Sequence, residues 1–211
     1  MLPVSFGTML FGLTEPLFVP EYWSPPSLFD LAEKTGLDIE SFIFSFSIGG
    51  IGAVLYHLVF SAKPVRLDET EKKHARHRFH LFALFAPFAV FPFLSVVTNL
   101  NHIYCGIISL FAGALATLYC RSDLIRKILV GGLLFTVLYF IYFGSILIFF
   151  PEYIKTYWNL DAISNLFVLG IPLEELLFAF TFGMYWSGIY EHFAWYAAGS
   201  KNKDYKKYEK N

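Results

Sequence analysis

Two adjacent carboxylates open an apolar segment near the carboxyl end of the chain, at Pro172-Leu173-Glu174-Glu175. A proline followed by acids is also the ordinary start of a helix. However, placing a carboxylate at the edge of a membrane-spanning helix costs free energy. Its presence there therefore indicates a functional role. A buried glutamate can hold a proton and act as a general acid while a second carboxylate acts as a base. Glu174 and Glu175 are therefore the candidate catalytic acid and base.

An earlier apolar segment also begins with a glutamate, Glu40, which precedes Glu174 by 134 positions. The residues that coincide at this offset are Gly36 and Gly170, Glu40 and Glu174, Phe44 and Phe178, Phe46 and Phe180, Gly49 and Gly183, and Tyr56 and Tyr190. A shared glutamate in charge-poor segments favours duplication over a coincidence of composition. An even number of predicted crossings separates the copies, so the repeat is parallel, and such repeats usually build one site between them. Glu40 is thus a third catalytic candidate. Short interfacial helices are expected before the copies, over 27–36 and 159–170.

Aromatic residues neighbour these acids. On a helix, Glu174, Phe178 and Tyr185 share one stripe, and Phe44 follows Glu40 by about one turn. Ring faces attract a cation without acting as nucleophiles, which suits chemistry that passes through a carbocation. The rings expected to bind substrate are Trp158, Phe178, Phe44 and Tyr185. There are two alternatives to a substrate-binding role. The rings could lie near the acids by chance, since 20% of the residues are aromatic, and aromatic residues in loops could anchor the protein at the lipid headgroups.

The elements that must position these residues are apolar segments of membrane-spanning length. Hydrophobic residues make up 56% of the chain and charged residues 16%, against about 25% charged in a soluble protein. The predicted spans are Val4–Val19, Phe42–Phe60, Leu81–Thr98, Ile103–Cys120, Ile128–Phe150 and Ile171–Tyr190. We predict an all-α, polytopic integral membrane bundle of about six helices. Glu15 is a further acid in the short first span, and we expect it at the outer interface.

Lysine and arginine placement predicts the orientation. Fourteen of these residues lie in the loop after Phe60, in the loop around Arg121 and in the tail, and two, Lys34 and Lys155, lie in the opposite loops. Short basic loops stay in the cytoplasm. Both termini and the loop that contains His74 are therefore predicted to be cytoplasmic.

That loop holds three histidines, His74, His77 and His80, at a spacing that could place imidazoles on one helical face. The interleaved lysines and arginines would repel a metal ion, and no Asp or Glu lies between Glu71 and His80. We therefore expect no metal site and interpret the segment as a basic surface that contacts anionic membrane lipid.

Other classes of function lack their signatures. There is no glycine-rich dinucleotide fingerprint and no P-loop, so no cofactor is expected. A net charge of −1 argues against a nucleic-acid partner. Cys105 and Cys120 lie roughly 22 Å apart on one predicted helix, which excludes a disulfide between them.

The stretch Tyr157-Trp158, followed by Phe167-Val-Leu-Gly-Ile-Pro172-Leu-Glu174-Glu175-Leu-Leu-Phe178, resembles the membrane-integral lycopene cyclase domain. The mark of that family is Pro-x-Glu-Glu at a helix start after a tryptophan-containing loop. The resemblance is good over 153–192 and weaker over 20–56. Such cyclases consist of two similar small membrane domains, separate or fused. The resemblance implies a degenerate first half over 1–100, a second half with the motif over 101–198, and a charged cytoplasmic tail over 199–211.

The resemblance implies a redox-neutral cyclisation of lycopene or a similar acyclic carotenoid. An acid protonates the terminal alkene, the cation closes on a neighbouring double bond, and a base removes a proton. The first half departs from the motif, with Asp38 in place of proline and Ser41 in place of the second glutamate. Either Glu40 assists alone, or only one half is catalytic, or the chain belongs to a branch with a different reaction. Two alternatives from other classes are a non-enzymatic carrier of polyisoprenoid or lipid and, less favoured, a proton-coupled transporter.

Overall fold

The computed structural model describes residues 2–61, 63–67, 69–72 and 74–199. The described residues are mostly helical, which confirms the all-α class. The helices are α1 (Leu2–Met9), α2 (Glu15–Phe18), α3 (Leu31–Thr35), α4 (Ile39–Phe60), α5 (Glu69–Lys72), α6 (His80–Val97), α7 (His102–Cys120), α8 (Ile125–Phe149), α9 (Tyr153–Tyr157) and α10 (Leu173–Ala194). The short strands are β1 (Lys63–Arg66), β2 (Phe167–Val168), β3 (Ile171–Pro172) and β4 (Tyr196–Gly199). The predicted tail lies outside the described residues from position 200 onward.

Four helical segments of the described chain are long and apolar enough to cross a membrane: Ile39–Phe60, Ala75–Val97, His102–Cys120 and Ser122–Phe149. They correspond to the second to fifth predicted spans. Helix α10 equals α4 in length, at 22 residues, but carries three glutamates and is not among the four. The first predicted span is divided into α1, a 3-10 turn over Leu10–Thr14, and α2, where Pro16 lacks the amide needed to continue a helix.

The outer surface is apolar, as expected for a protein in lipid. Phe82, Val96 and Ile148 are 76%, 84% and 78% exposed, whereas several acids and bases are buried. This is the reverse of the usual arrangement in a soluble protein. The four apolar helices and this surface indicate a membrane protein.

Helix α10 lies at the centre of the bundle and packs against α4, α7 and α8. A Cβ atom on Gly183 of α10 would lie 2.9 Å from the carbonyl oxygen of Gly131 in α8. Glycine at this position therefore permits the two backbones to approach closely, as is common between membrane helices.

Loops pair at both ends of the bundle. At one end, Trp23 and Trp158 form an isolated antiparallel bridge, and the Ser24 amide donates to the Tyr157 carbonyl at 2.7 Å. At the other end, β1 after α4 pairs with β4 after α10. Helices α4 and α10 thus begin at one end and finish at the other, so they run parallel.

The expected interfacial helices differ in outcome. The first is present as α3 and ends at Gly36, whose φ of +77° is the left-handed cap that glycine favours. The second prediction, over 159–170, is wrong. These residues form a 3-10 turn at Leu160–Ala162 and the beginning of a β2–β3 hairpin. Leu169 and Gly170 both have positive φ, as a two-residue hairpin turn requires.

Candidate active site

Glu175 is buried and accepts hydrogen bonds from three side chains. Its Oε1 accepts from the Tyr22 hydroxyl at 2.6 Å and from the Trp158 indole at 2.9 Å. Its Oε2 accepts from the Tyr139 hydroxyl at 3.1 Å. The donors come from the loop after α2, the loop after α9, and α8. Both oxygens are engaged, so this carboxyl group is held in one orientation.

Glu174 is also buried, but its two oxygens differ. Oε1 accepts from the Tyr104 hydroxyl at 2.6 Å and from the Ser164 amide at 2.9 Å. Oε2 is buried and has no hydrogen-bond partner among the residues that the structure describes. An unpaired buried carboxyl oxygen is costly, and this oxygen is not engaged by any protein donor among the described residues.

The local fold explains why both acids point into the protein. The β2–β3 hairpin delivers Pro172 to the N-cap of α10, and the Leu173 amide donates to the Leu166 carbonyl at 2.8 Å. Glu174 and Glu175 then fall in the first turn, where the helix dipole favours negative charge.

A second set of contacts fixes the loop that carries Tyr22. The Glu21 carbonyl accepts from the side-chain amides of Asn101 at 3.2 Å and Asn159 at 3.1 Å. The Glu21 carboxylate pairs with His102. Burial and the nearby Glu175 raise the pKa of Tyr22 well above the ordinary value of 10, so its hydroxyl remains a neutral donor at physiological pH.

Aromatic rings extend from the acids into the core. Trp158 packs edge-on against Phe143, with ring centroids 5.8 Å apart, and Phe143 packs against Tyr139 at 5.1 Å. Farther along α10, Phe182 stacks on Trp186 at 4.7 Å. The sequence analysis named Trp158 for this region and gave no site role to Tyr22, Tyr104 or Tyr139. Tyr22 belongs to the tripeptide Pro20-Glu21-Tyr22, which recurs as Pro151-Glu152-Tyr153, and this repeat was the one available signal.

The other predicted residues lie in different surroundings. Glu40 is exposed, and its Oε1 accepts from the Leu28 amide at 2.6 Å. Phe44 is partly buried against the core, and Phe178 lies 6.3 Å from Tyr139 between ring centroids. The Tyr185 hydroxyl donates to the Leu84 carbonyl in α6. Among the described contacts, Phe178 adjoins the group around Glu175, whereas Glu40 and Tyr185 do not touch either acid of the pair.

Glu15 lies near the loop that carries Trp23. It is buried in the protein, close to the side chains of Ser41 and Trp23, and its Oε1 has no hydrogen-bond partner among the described residues. The Trp23 ring packs against Trp158 with centroids 5.4 Å apart, and Trp158 in turn donates to Glu175. In the sequence, Glu15 stands out as an acidic residue inside an apolar segment.

A separate buried cluster lies at the opposite end of α10. Glu191 pairs with Lys127, and its Oε1 lies 2.5 Å from Nε2 of His57. The lysine and glutamate side chains are fully buried. The predicted span began at Ile128, but α8 begins at Ile125, which places Lys127 inside the helix.

The comparisons with known proteins support one family for part of the chain. The lycopene cyclase family model matches residues 101–193. This stretch contains α7 to α10, and hence Glu174, Glu175 and most of their partners, and supports a lycopene cyclase domain there. No curated protein matches the chain. No solved structure matches it either.

Proposed function

We propose that this protein is a membrane carotenoid cyclase or a close relative, which cyclises the end group of lycopene or a similar acyclic carotenoid. The observation that carries the proposal is the buried Glu174–Glu175 pair, inside the part of the chain that matches the family. One oxygen of Glu174 has no hydrogen-bond partner in the part of the chain that the structure describes. General acid or base catalysis needs a carboxyl group that can exchange a proton with the reacting atoms. We propose that Glu174 Oε2 is this group.

The proposed reaction moves protons and forms one carbon–carbon bond. Glu174 transfers a proton from Oε2 to the terminal alkene, and the resulting tertiary cation is attacked by a neighbouring double bond. The ring closes, the cation moves into it, and a carboxylate of the pair removes a proton to leave a ring alkene. Substrate and product have the same mass, so the reaction consumes neither oxidant nor reductant.

The surroundings of Glu175 suit the cationic intermediate. Trp158 and Tyr139 donate to its oxygens and also present ring surfaces, which attract a cation without bonding to it. We propose that Glu175 stabilises the cation electrostatically and that Phe178 borders the substrate. Glu40 has a supporting role at most, because its carboxylate binds the Leu28 amide.

We further propose that 1–100 and 101–198 are two related halves of one unit. Positions 134 apart in the sequence meet between α4 and α10: His57 contacts Glu191, and a Cβ atom on Gly52 would lie 3.1 Å from Cβ of Trp186. Two parallel helices related by a two-fold axis bring equivalent positions together in this way. The first half supplies Tyr22 to the second half's Glu175, so the site requires both.

Expression in a bacterium that accumulates lycopene, followed by chromatography and mass measurement of the pigments, tests the reaction. Glu174→Gln and Glu175→Gln should each lower cyclisation about 100-fold or more, since acid or base participation contributes about 10²–10⁴-fold and electrostatic stabilisation of the transition state about 10²–10³-fold. Glu40→Gln should cost less than about tenfold, within the effect of a lost side-chain cap. Glu152→Gln, at an exposed glutamate paired with Lys155, is the control.

Membrane abundance is compared first, so that loss of protein is not mistaken for loss of catalysis. A cyclic product of unchanged mass, formed by purified protein in lipid without nicotinamide or flavin, supports the proposal. Full activity of both glutamine variants at equal abundance would refute the acid–base assignment. Binding of lycopene without any product, by all variants equally, would favour the carrier.

A further inference from the structure

Two histidines and a cysteine converge at the end of the bundle opposite Glu174. His77 precedes α6, His80 begins it, and Cys120 ends α7; all three are buried. Nδ1 of His77 lies 3.2 Å from Sγ of Cys120, and Nδ1 of His80 lies 3.5 Å from the same sulfur. One possible ligand atom from each of the three side chains lies within 4.8 Å of the other two.

The two nitrogen–sulfur separations match those of ligands around one metal ion. With Zn–S of about 2.3 Å and Zn–N of about 2.0–2.1 Å, two ligands at a tetrahedral angle are about 3.5 Å apart. The i, i+3 spacing of the histidines places them on one helical face. Imidazole and thiolate together favour zinc or a similar transition metal over calcium or magnesium.

We propose that His77, His80 and Cys120 bind a zinc-class divalent metal ion that joins the start of α6 to the end of α7. His192 of α10 is the candidate for the fourth ligand. Its Nε2 is buried without a hydrogen-bond partner among the described residues, and its ring centroid lies 4.3 Å from that of His80.

The charges nearby are compatible with a cation. Arg121 is paired with Asp123 through two hydrogen bonds of 2.8 and 2.7 Å and also donates to the Tyr196 carbonyl, so its charge is largely compensated. A thiolate on Cys120 adds a negative charge when the metal displaces its proton. Arg76 Nε lies 3.4 Å from Nε2 of His77, and this long contact must open when Nδ1 binds a metal.

The sequence predicted no metal site here because the residues adjacent to the histidines are basic. Cys120 is 40 residues from His80, and the fold alone brings them together. The inferred role is structural, and it is independent of the proposed cyclase reaction, because Glu174 and His192 lie at opposite ends of α10.

Cobalt(II) is the probe that tests the site. Protein purified in detergent through a tag without histidine, and stripped with a chelator, is titrated with Co²⁺. We expect one ion per chain and a near-ultraviolet thiolate-to-cobalt charge-transfer band. Cys120→Ser should abolish the band, and His80→Ala should weaken binding. Cys105→Ser, at a buried cysteine of the same helix, and His74→Ala, at an exposed histidine of the same loop, should leave the titration unchanged.

A second measurement uses only the chelator-treated wild-type protein, so it does not depend on the folding of any variant. Zinc should raise its thermal unfolding temperature, because an ion that binds the folded state stabilises it. Absence of the charge-transfer band in wild type would overturn the proposal, and so would a band lost with Cys105→Ser but kept with Cys120→Ser. In that event His77, His80 and Cys120 form an ordinary hydrogen-bonded cluster.

Discussion

At the scale of single residues, the two candidate acids differ in their surroundings more than in their positions. Glu175 is fixed by three donors, whereas Glu174 keeps one oxygen without a partner among the described residues. Adjacent side chains on a helix point about 100° apart, so each meets a different set of loops. This difference is the physical basis for giving them unequal roles.

Removal of one donor to Glu175 should lower activity without unfolding the protein. Tyr22→Phe deletes the hydroxyl that lies 2.6 Å from Oε1 and leaves the ring in place. A hydrogen bond to a charged group contributes about 1.5–3 kcal/mol, so we expect cyclisation to fall about 10- to 100-fold. Rates are measured with purified enzyme in lipid.

Tyr153→Phe is the matched control, because Tyr153 packs edge-on against Trp158 at 5.9 Å without a described hydrogen bond to either acid. It should retain nearly full activity. Equal losses in the two variants would mean that Tyr22 acts through packing and not through its hydroxyl.

At the scale of elements, α10 carries charged groups at both ends. Glu174 and Glu191 are 17 residues apart, or about 25 Å along a helix. The first end serves the proposed chemistry. The second end holds the buried pair of Lys127 and Glu191, which joins α10 to α8 and, through His57, to α4.

Breaking this buried pair should destabilise the protein. Lys127→Met leaves Glu191 buried without its cation, and loss of one partner of a buried pair costs about 3–5 kcal/mol. The fraction that remains monodisperse after heating in detergent measures the effect. Lys155→Met, at an exposed pair with Glu152, should change stability by no more than about 1 kcal/mol.

The double variant Lys127→Met with Glu191→Leu separates the effect of an unpaired buried charge from the effect of lost packing by the lysine stem. It removes both charges, so it should recover at least half of the lost stability. No recovery would indicate that the lysine stem, and not the ion pair, holds α8 against α10.

At the scale of the whole molecule, the parallel course of α4 and α10 places the candidate site at one end and the histidine–cysteine cluster at the other. The lysine and arginine distribution predicts that the first end is external and the second cytoplasmic. The positive charges of the loops act while the chain inserts into the membrane. They therefore determine which end faces the cytoplasm and do not determine how the helices pack.

Cysteine-accessibility labelling tests this orientation. Thr70 and Thr156 are both exposed and lie at opposite ends of the bundle. In intact cells, an impermeant reagent should label Thr156→Cys and spare Thr70→Cys, in a background where Cys105 and Cys120 are serine. Labelling of Thr70→Cys alone would mean that the protein is inverted.

The sequence alone predicted the all-α class, four apolar helices of membrane-spanning length, and the position of Glu174 and Glu175 at the start of a helix. Composition and local spacing suffice for these, because helix length and apolarity are properties of neighbouring residues. The partners of the acids could not be found this way: Tyr22 is 153 positions from Glu175 and Tyr104 is 70 from Glu174. The hairpin at Leu169–Gly170, the burial of Glu15, the pairing of Lys127 with Glu191 and the approach of Cys120 to His77 were likewise decided by tertiary packing. Each depends on which helices lie side by side, and hydrogen bonds between distant residues leave no periodic signal in a single sequence.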